Sequence, residues 1–543
     1  MQINRFVKPD LKDRLNLIVF GLSLIILLAP RLSMAQQSAL LLSESPAYEL
    51  VERLQRRGLL HELNPTMRPY SYRALRSAVE QVDVAKLSTY ETEWLAQLNA
   101  LLGSDGSSDD LITRFGVAAS MSQSSSRRYD PLRPLGTTPF VDPRAEFTAV
   151  MGWQQVVAAT GVTHDMFYDR DPDGLDVVNR FFMRGENTYL GFSSQYFDLY
   201  VGRFGTHWNR VGIEAPMIGD DVRQYDKIAL RIGNEMLSLH SVYGELDNLD
   251  SVGVFSGRGF KAGNVRRYVF AHRVDWKPTD GLTFTIFEGD LVSGSNAGLS
   301  LKYLQPFHVV FFEQDNTPKN YENNLMVGAG LHFRKGKVAA TAQYILDDIV
   351  ILDRKTVKEE GRLEPATTQT TLHVTVGGVR PNLDIGLSGA LVSSMSYRTD
   401  QKEGQWSYAQ RSLATPFADY AHLKLFADWY ADHIATGLTL KPAFHVLAQG
   451  TGDFRDDFNK SYSDGRLLPA FLSGNESLTI RPALGVDYRL YNLWIDSNGT
   501  SRGWEVYFTA DVGINVIRNQ ANIDTNNAIE FHNMARLSVK RSF

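Results

Sequence analysis

Val506-Tyr507-Phe508-Thr509-Ala510-Asp511-Val512-Gly513-Ile514-Asn515-Val516 is the stretch that decides the fold class. Val506, Phe508, Ala510, Val512, Ile514 and Val516 take every second position, and Tyr507, Thr509, Asp511, Gly513 and Asn515 fill the gaps. A period of two places one set on each face of an extended strand. The final stretch repeats it, with Phe531, Ala535, Leu537, Val539 and Phe543 set against His532, Arg536, Ser538, Lys540 and Ser542. So do Leu372-Val374-Val376 and the run Val338, Ala340, Ala342, Tyr344 and Leu346, which alternates with Thr341, Gln343 and Asp347.

Such segments, separated by Gly, Asp, Asn and Pro, suit a barrel in which one set meets lipid and the other a polar lumen. Closure leaves no unpaired edge in hydrocarbon. A soluble β-sandwich alternates in the same way, so three further features select the barrel. The strand pattern runs from residue 111 to residue 543 without a helical interruption. Aromatic residues cluster near strand ends (Trp276, Trp429, Tyr430, Tyr488, Tyr491, Trp494, Trp504, Tyr507), as an interfacial girdle does. The chain stops on Phe543 at the end of a strand with an apolar outward set, which resembles the signal read by barrel-insertion machinery. At roughly 24 residues per strand and connection, the expectation is an all-β fold, a large antiparallel transmembrane β-barrel of about 16–18 strands.

Upstream the pattern changes. Arg5, Lys8, Lys12 and Arg14 precede the apolar run Leu15 to Leu28, followed by Pro30 and Ser33-Met34-Ala35. This reads as a secretory signal peptide over residues 1–35, cut before Gln36. An uncleaved anchor is the alternative, but the run falls short of the roughly 20 residues that span a bilayer. Within residues 36–110, Leu50, Leu54, Leu59, Leu60, Leu75, Val79, Val82, Trp94, Leu95, Leu98, Leu101 and Leu102 recur at helical spacing, and Gly103-Ser104-Asp105-Gly106 closes the region. A small N-terminal α-helical module of three helices is expected. Too short to bury much core unaided, it should dock on the barrel as a periplasmic plug.

Composition excludes several functions. No cysteine occurs among the 543 residues, so disulfides, thiol nucleophiles and thiolate metal sites are out. A net charge of −5 offers no basic field for nucleic acid. There is no Gly-x-Ser-x-Gly elbow, His-Glu-x-x-His helix or phosphate-binding Gly-Lys-Ser/Thr motif. No cofactor and no catalytic residue are expected, although a Ser/His/Asn-type set assembled in space is invisible to such a scan.

Strand parity puts Arg273, Asp275, Gln343, Asp347, Lys441, Asp487, Arg489, Asp511 and Arg536 on the polar set. They either grip a hydroxylated, acidic glycan or simply line a wet, salt-bridged lumen. His272 shares parity with Tyr268, Phe270 and Val274, which makes it interfacial or bulge-shifted rather than catalytic. Trp208 follows Gly202-Arg203 and His207 in a Gly-rich loop with Tyr225; its ring suits stacking on a pyranose or packing within the loop. Tyr303 to Phe307 reads as an inward-folded constriction loop or a capped turn. Asp169, Asp171 and Asp173 with Gly174 begin like a calcium loop, but Arg180 stands where the bidentate Glu belongs, so an exposed acidic loop is the stronger reading.

Pro46-Ala47-Tyr48-Glu49-Leu50-Val51-Glu52-Arg53-Leu54, Arg57-Gly58-Leu59-Leu60 and Arg68-Pro69-Tyr70-Ser71 together resemble the capsule assembly Wzi family. The resemblance continues through Val201-Gly202-Arg203-Phe204 with Trp208, Ala271-His272-Arg273-Val274, Glu288, Tyr303-Leu304-Gln305-Pro306-Phe307, Asn323-Asn324 and Gln343 to Asp348. Gln305 replaces the family's usual Asn. The resemblance implies an integral outer-membrane barrel of a Gram-negative bacterium, closed on its periplasmic side by a helical bundle. It also implies a non-enzymatic role in holding capsular or exopolysaccharide at the cell surface, with outer-membrane lipid and surface polysaccharide as partners. Arg203, Trp208, Arg273, Tyr303, Gln343 and Asp347 are the candidate polysaccharide-binding residues. A passive porin and an outer-membrane hydrolase are the rival functions.

Overall fold

The computed structural model describes residues 38–42, 44–103, 112–136, 138–153, 155–165, 171–174, 183–251, 254–255, 265–300, 303, 305, 308–310, 322–347, 367–399, 402–456, 470–495 and 501–542. The expected signal peptide, Asp169 and Phe543 lie outside the described residues.

Eighteen antiparallel strands form one closed sheet. Strand Ile112–Ser124 pairs both with Phe140–Trp153 and with the last strand, Ala528–Ser542, where Gly116 faces Ser542 and Ser124 faces Met534. That seam leaves the barrel without an edge. Consecutive strands meet at one end through short turns, such as those from Thr279 to Leu282, Lys335 to Val338 and Arg380 to Leu383. The other end carries the long connections.

Alternation settles facing. Ile286, Leu331, Phe444, Ile514, Val516, Phe531 and Leu537 are exposed on an apolar outer belt. Trp153, Trp276, Trp429 and Trp504 stand outward near the short-turn end, as a girdle does, and Arg541 lies over the Trp504 ring at 4.8 Å. Only part of the expected girdle points outward. Tyr430 is buried against Trp94 of the helical module, ring centroids 4.6 Å apart, and the Tyr507 hydroxyl accepts from Arg489 inside the lumen.

Residues Ala47–Arg56 (α1), Tyr72–Glu80 (α2) and Thr89–Leu102 (α3) form the three helices. The Ser71 hydroxyl caps α2, and Ser88 with Glu91 makes a reciprocal capping box on α3. Their apolar faces meet through Leu50, Leu54, Leu75, Trp94, Leu98 and Leu102, and this small core is completed by Tyr430 of the wall. The module sits at the short-turn end. Gly377 shows how closely α1 approaches the wall, because a Cβ there would lie 2.1 Å from the Arg56 carbonyl oxygen.

The largest apolar core lies within the lumen. Trp208, Met217 and Ile218, from the connection between strands Phe197–Arg203 and Asp226–Gly233, pack against Tyr397, Trp406, Leu413 and Phe417 from a second connection. Inward wall residues Val269, Phe287, Leu291, Met326, Ile345 and Val392 surround them. The barrel is thus filled from one end by helices and from the other by inturned connections.

Candidate functional site

The inward wall groups fasten this plug. On α1, Arg56 pairs with Glu52 at 3.1 Å and with Asp428 of the wall, while Arg57 reaches Asp384 at 2.9 Å. Arg53 donates to Thr439 at 3.0 Å, and Glu49 takes Lys441 at 3.1 Å as well as Arg489. Glu52 also receives both Nε (3.2 Å) and Nη2 (2.6 Å) of Arg210, a residue of the inturned connection. One carboxylate therefore ties the helices to the loop plug. Burial alone would raise the Glu52 carboxyl, but Arg210 and Arg56 overcome it and hold the group at about 2.

The sequence-derived candidates fall in four places rather than one. Trp208, 1% exposed, stacks on Phe287 with centroids 6.2 Å apart, so its ring belongs to the plug core. Gln343 donates to the Trp208 carbonyl at 2.8 Å, and Asp347 accepts from the Tyr397 backbone at 3.2 Å. These three belong together, as ties between wall and plug. Arg273, fully buried, pairs with Asp275 and donates to the Thr66 carbonyl at 2.6 Å, which anchors the segment before α2. Arg203 stands on the other face of its strand, paired at 2.6 Å with the exposed Asp226.

Tyr303 is neither in a constriction nor in a simple turn. It stacks on Phe270 with centroids 4.3 Å apart, and with Ala297 and Val310 it covers Tyr243, Tyr268 and Val292. Phe270 shares parity with the exposed Val274 and Trp276, so Ala297, Tyr303 and Val310 lie over the outside of the wall; Leu304, Pro306 and Phe307 lie outside the described residues. Beneath this cover His272 and Glu288, directly opposed in the ladder, pair at 2.7 Å, and Glu288 accepts from the Val310 backbone at 3.0 Å. His272 has the outward parity expected of it and sits in unbroken register, with no bulge.

At the end bearing the long connections, arginines and aspartates interlock. Arg411 forks onto Asp171 at 2.6 and 2.7 Å and reaches Asp221 at 2.9 Å. Arg128 forks onto Asp173 at 2.7 and 2.8 Å, and Arg455 joins the same carboxylate at 3.3 Å. Arg133 pairs with Asp130 at 2.7 Å, with its guanidinium 4.3 Å from the Phe417 ring centroid. Asp171 and Asp173, two of the calcium candidates, are thus engaged by guanidinium forks. Among the described residues no group of three or more metal-ligating side chains assembles. This mouth draws on five separate connections, and no local sequence period could have announced it. Such a surface suits hydroxyl-rich, polyanionic or zwitterionic ligands, which exchange hydrogen bonds with charged forks.

Two hollows remain. One, of about 940 Å³, lies between the helical module and the wall, lined by Glu62, Arg73, Asp198, Arg231, Lys277 and Asp280 among others. The second, of about 490 Å³, runs inside the wall between Glu44, Arg144, Lys227, Tyr225, Arg489 and Arg536.

The chain matches no family model and no curated protein. Among solved structures it is similar to Wzi of Escherichia coli, an outer-membrane protein involved in group 1 capsule assembly and described as a carbohydrate-binding β-barrel. That likeness has a TM-score of 0.60 at 11% identity, over 92% of this chain and 99% of the other. It is also similar to OccAB2 of Acinetobacter baumannii (TM-score 0.45, 10% identity, 80% of this chain and 98% of the other). A third is OccD3 (OpdP) of Pseudomonas aeruginosa (TM-score 0.44, 11% identity, 79% and 91%). The likeness to Wzi shows the fold, a large β-barrel.

Proposed function

We propose that this chain is an integral outer-membrane barrel that binds and retains capsular or exopolysaccharide at the cell surface, without chemistry. The short-turn end with its helical module then faces the periplasm, and the arginine–aspartate mouth faces outward. The observation that carries the reading is the filled lumen. An apolar plug core ringed by buried ion pairs suits a binding platform better than a passage, and it leaves the mouth as the surface that a polymer meets. The likeness to a carbohydrate-binding barrel over nearly the whole chain supports it. The resemblance read from the sequence points the same way.

The test compares a deletion strain with its parent for cell-bound and medium-released polysaccharide. A shift from bound to released at constant total is expected, and re-expression of an Arg411→Ala, Arg455→Ala double variant should restore retention only in part. An unchanged partition in the deletion strain would remove the retention role.

A further inference from the structure

Lys227 lies on the inward face of strand Asp226–Gly233, 5% exposed, and lines the cleft of about 490 Å³. Its Nζ donates to the Thr206 hydroxyl at 3.1 Å and stands 4.2 Å from the Tyr225 ring centroid and 5.1 Å from that of Phe204. Among the described residues it forms no ion pair; the adjacent Asp226 points the other way, to Arg203. A buried amine that faces a hydroxyl and two ring faces, with no ion-pair partner among the described residues, has room for an anionic acceptor.

Tyr225 shares the same cleft, 2% exposed, and its hydroxyl has no hydrogen-bond partner among the described residues. Burial raises the phenol, so at neutral pH it stays a donor. Its ring is held in place by Gly244, the residue directly opposite Lys227 in the ladder, where a Cβ would lie 2.3 Å from the ring. Two donors, an amine whose one hydrogen-bond acceptor among the described residues is the Thr206 hydroxyl and a phenol that has none, therefore converge on this cleft.

We propose that Lys227 and Tyr225 form a subsite for the carboxylate of an acidic sugar, a hexuronic acid. One carboxylate would accept from both Nζ and the phenol, as charge-assisted hydrogen bonds favour. The Phe204 and Tyr225 rings provide the apolar wall on which a pyranose packs. The cleft volume is that of ordinary small-molecule sites. The inference deepens the glycan reading, since it names the sugar class, yet it is separable from it because the isolated barrel can be tested with a monosaccharide.

The experiment titrates the full chain, purified in detergent, with D-glucuronate, D-glucose and inorganic phosphate by calorimetry. Saturable glucuronate binding is expected, with glucose about tenfold weaker or worse. Lys227→Met should weaken glucuronate by about tenfold or more, and Tyr225→Phe by about fivefold. Heat-modifiable migration in gels checks that each variant is a folded barrel, and should Lys227→Met not fold, Tyr225→Phe removes a single oxygen and still decides. Absence of glucuronate binding, equal affinity for glucose, phosphate binding as tightly as glucuronate, or no effect of Tyr225→Phe would each overturn the subsite. None of those results touches polymer retention by cells, which tests the other reading.

Discussion

Replacing Glu52 by Ala should unlatch the plug while the wall stays intact. Among the described residues Glu52 is the only carboxylate that pairs with Arg210, and the Arg210 side chain is 1% exposed, so the substitution strands a buried guanidinium. Removing one member of a buried pair costs about 3–5 kcal/mol. Against burial, Arg210, together with Arg56 of the carboxyl's own helix, holds that group at about 2 against its ordinary 4.5, and the part owed to Arg210 favours the latched state. That term is fully present above about pH 4.5 and is lost as pH falls toward 2, since protonation then removes the acceptor charge. At 1.4 kcal/mol per tenfold, the displaced plug should become about a hundredfold to a few thousandfold more populated. Arg56 keeps Asp428, so the helices stay tethered and the wall ladders are untouched. Planar-bilayer recording should find almost no current for the parent chain and intermittent openings for Glu52→Ala, with faster tryptic cleavage within Ala47–Arg56. Adding Arg210→Met should reverse part of the effect, because no buried charge is then left alone. Porin-scale current through the parent, or a Glu52→Ala variant as silent and as resistant as the parent, would refute the reasoning.

Burial, then Glu235, raise the Glu62 carboxyl to about 7 against the pull of Lys277, so module docking should be strongest below about pH 4.5 and weaken as pH rises through 7. Glu62→Gln should flatten that slope in protease-resistance profiles. Gly377→Ala would force a Cβ against the Arg56 carbonyl, and overpacking of this kind costs about 1–3 kcal/mol; hydrogen exchange should quicken in α1 while the barrel melts unchanged. Trp208→Ala removes a fully buried ring and should cost about 3–5 kcal/mol of plug stability. It should do so without direct loss of glycan contact, read as lower protease resistance at undiminished oligosaccharide affinity.

The barrel could be read from the sequence because a period of two survives in strands such as Ser501–Arg518 and Ala528–Ser542, where the wall alone determines composition. The three helices were legible for the matching reason, a 3.6-residue apolar recurrence. Parity placed Arg273, Gln343, Asp347, Asp487 and Arg489 inward, but facing is not partnership. What each side chain touches depends on connections more than a hundred residues away, as with Gln343 on Trp208. Arg203 keeps the outward parity of the exposed Val201 in unbroken register, a facing that its place in a Gly-Arg…Trp segment did not reveal. The Tyr303 segment was the hardest to foresee. Aromatics after a strand serve equally well inside or outside a barrel, and nothing local to that segment says which.

That outward fold of the Tyr303 segment breaks the circular symmetry of the molecule's perimeter. Elsewhere on the wall, apolar side chains such as Leu331, Phe444, Val516 and Leu537 stand exposed. In the sector of Tyr243, Phe270 and Val292 the wall is two layers thick, and the covered surface holds the His272–Glu288 pair, which bare hydrocarbon would not tolerate. A bilayer gathered around this barrel therefore meets a shorter apolar height in one direction than in the others. Mismatch of that kind is met by tilting or by local thinning, so the barrel would carry a built-in compass, with a preferred lean and a preferred flank for its neighbours.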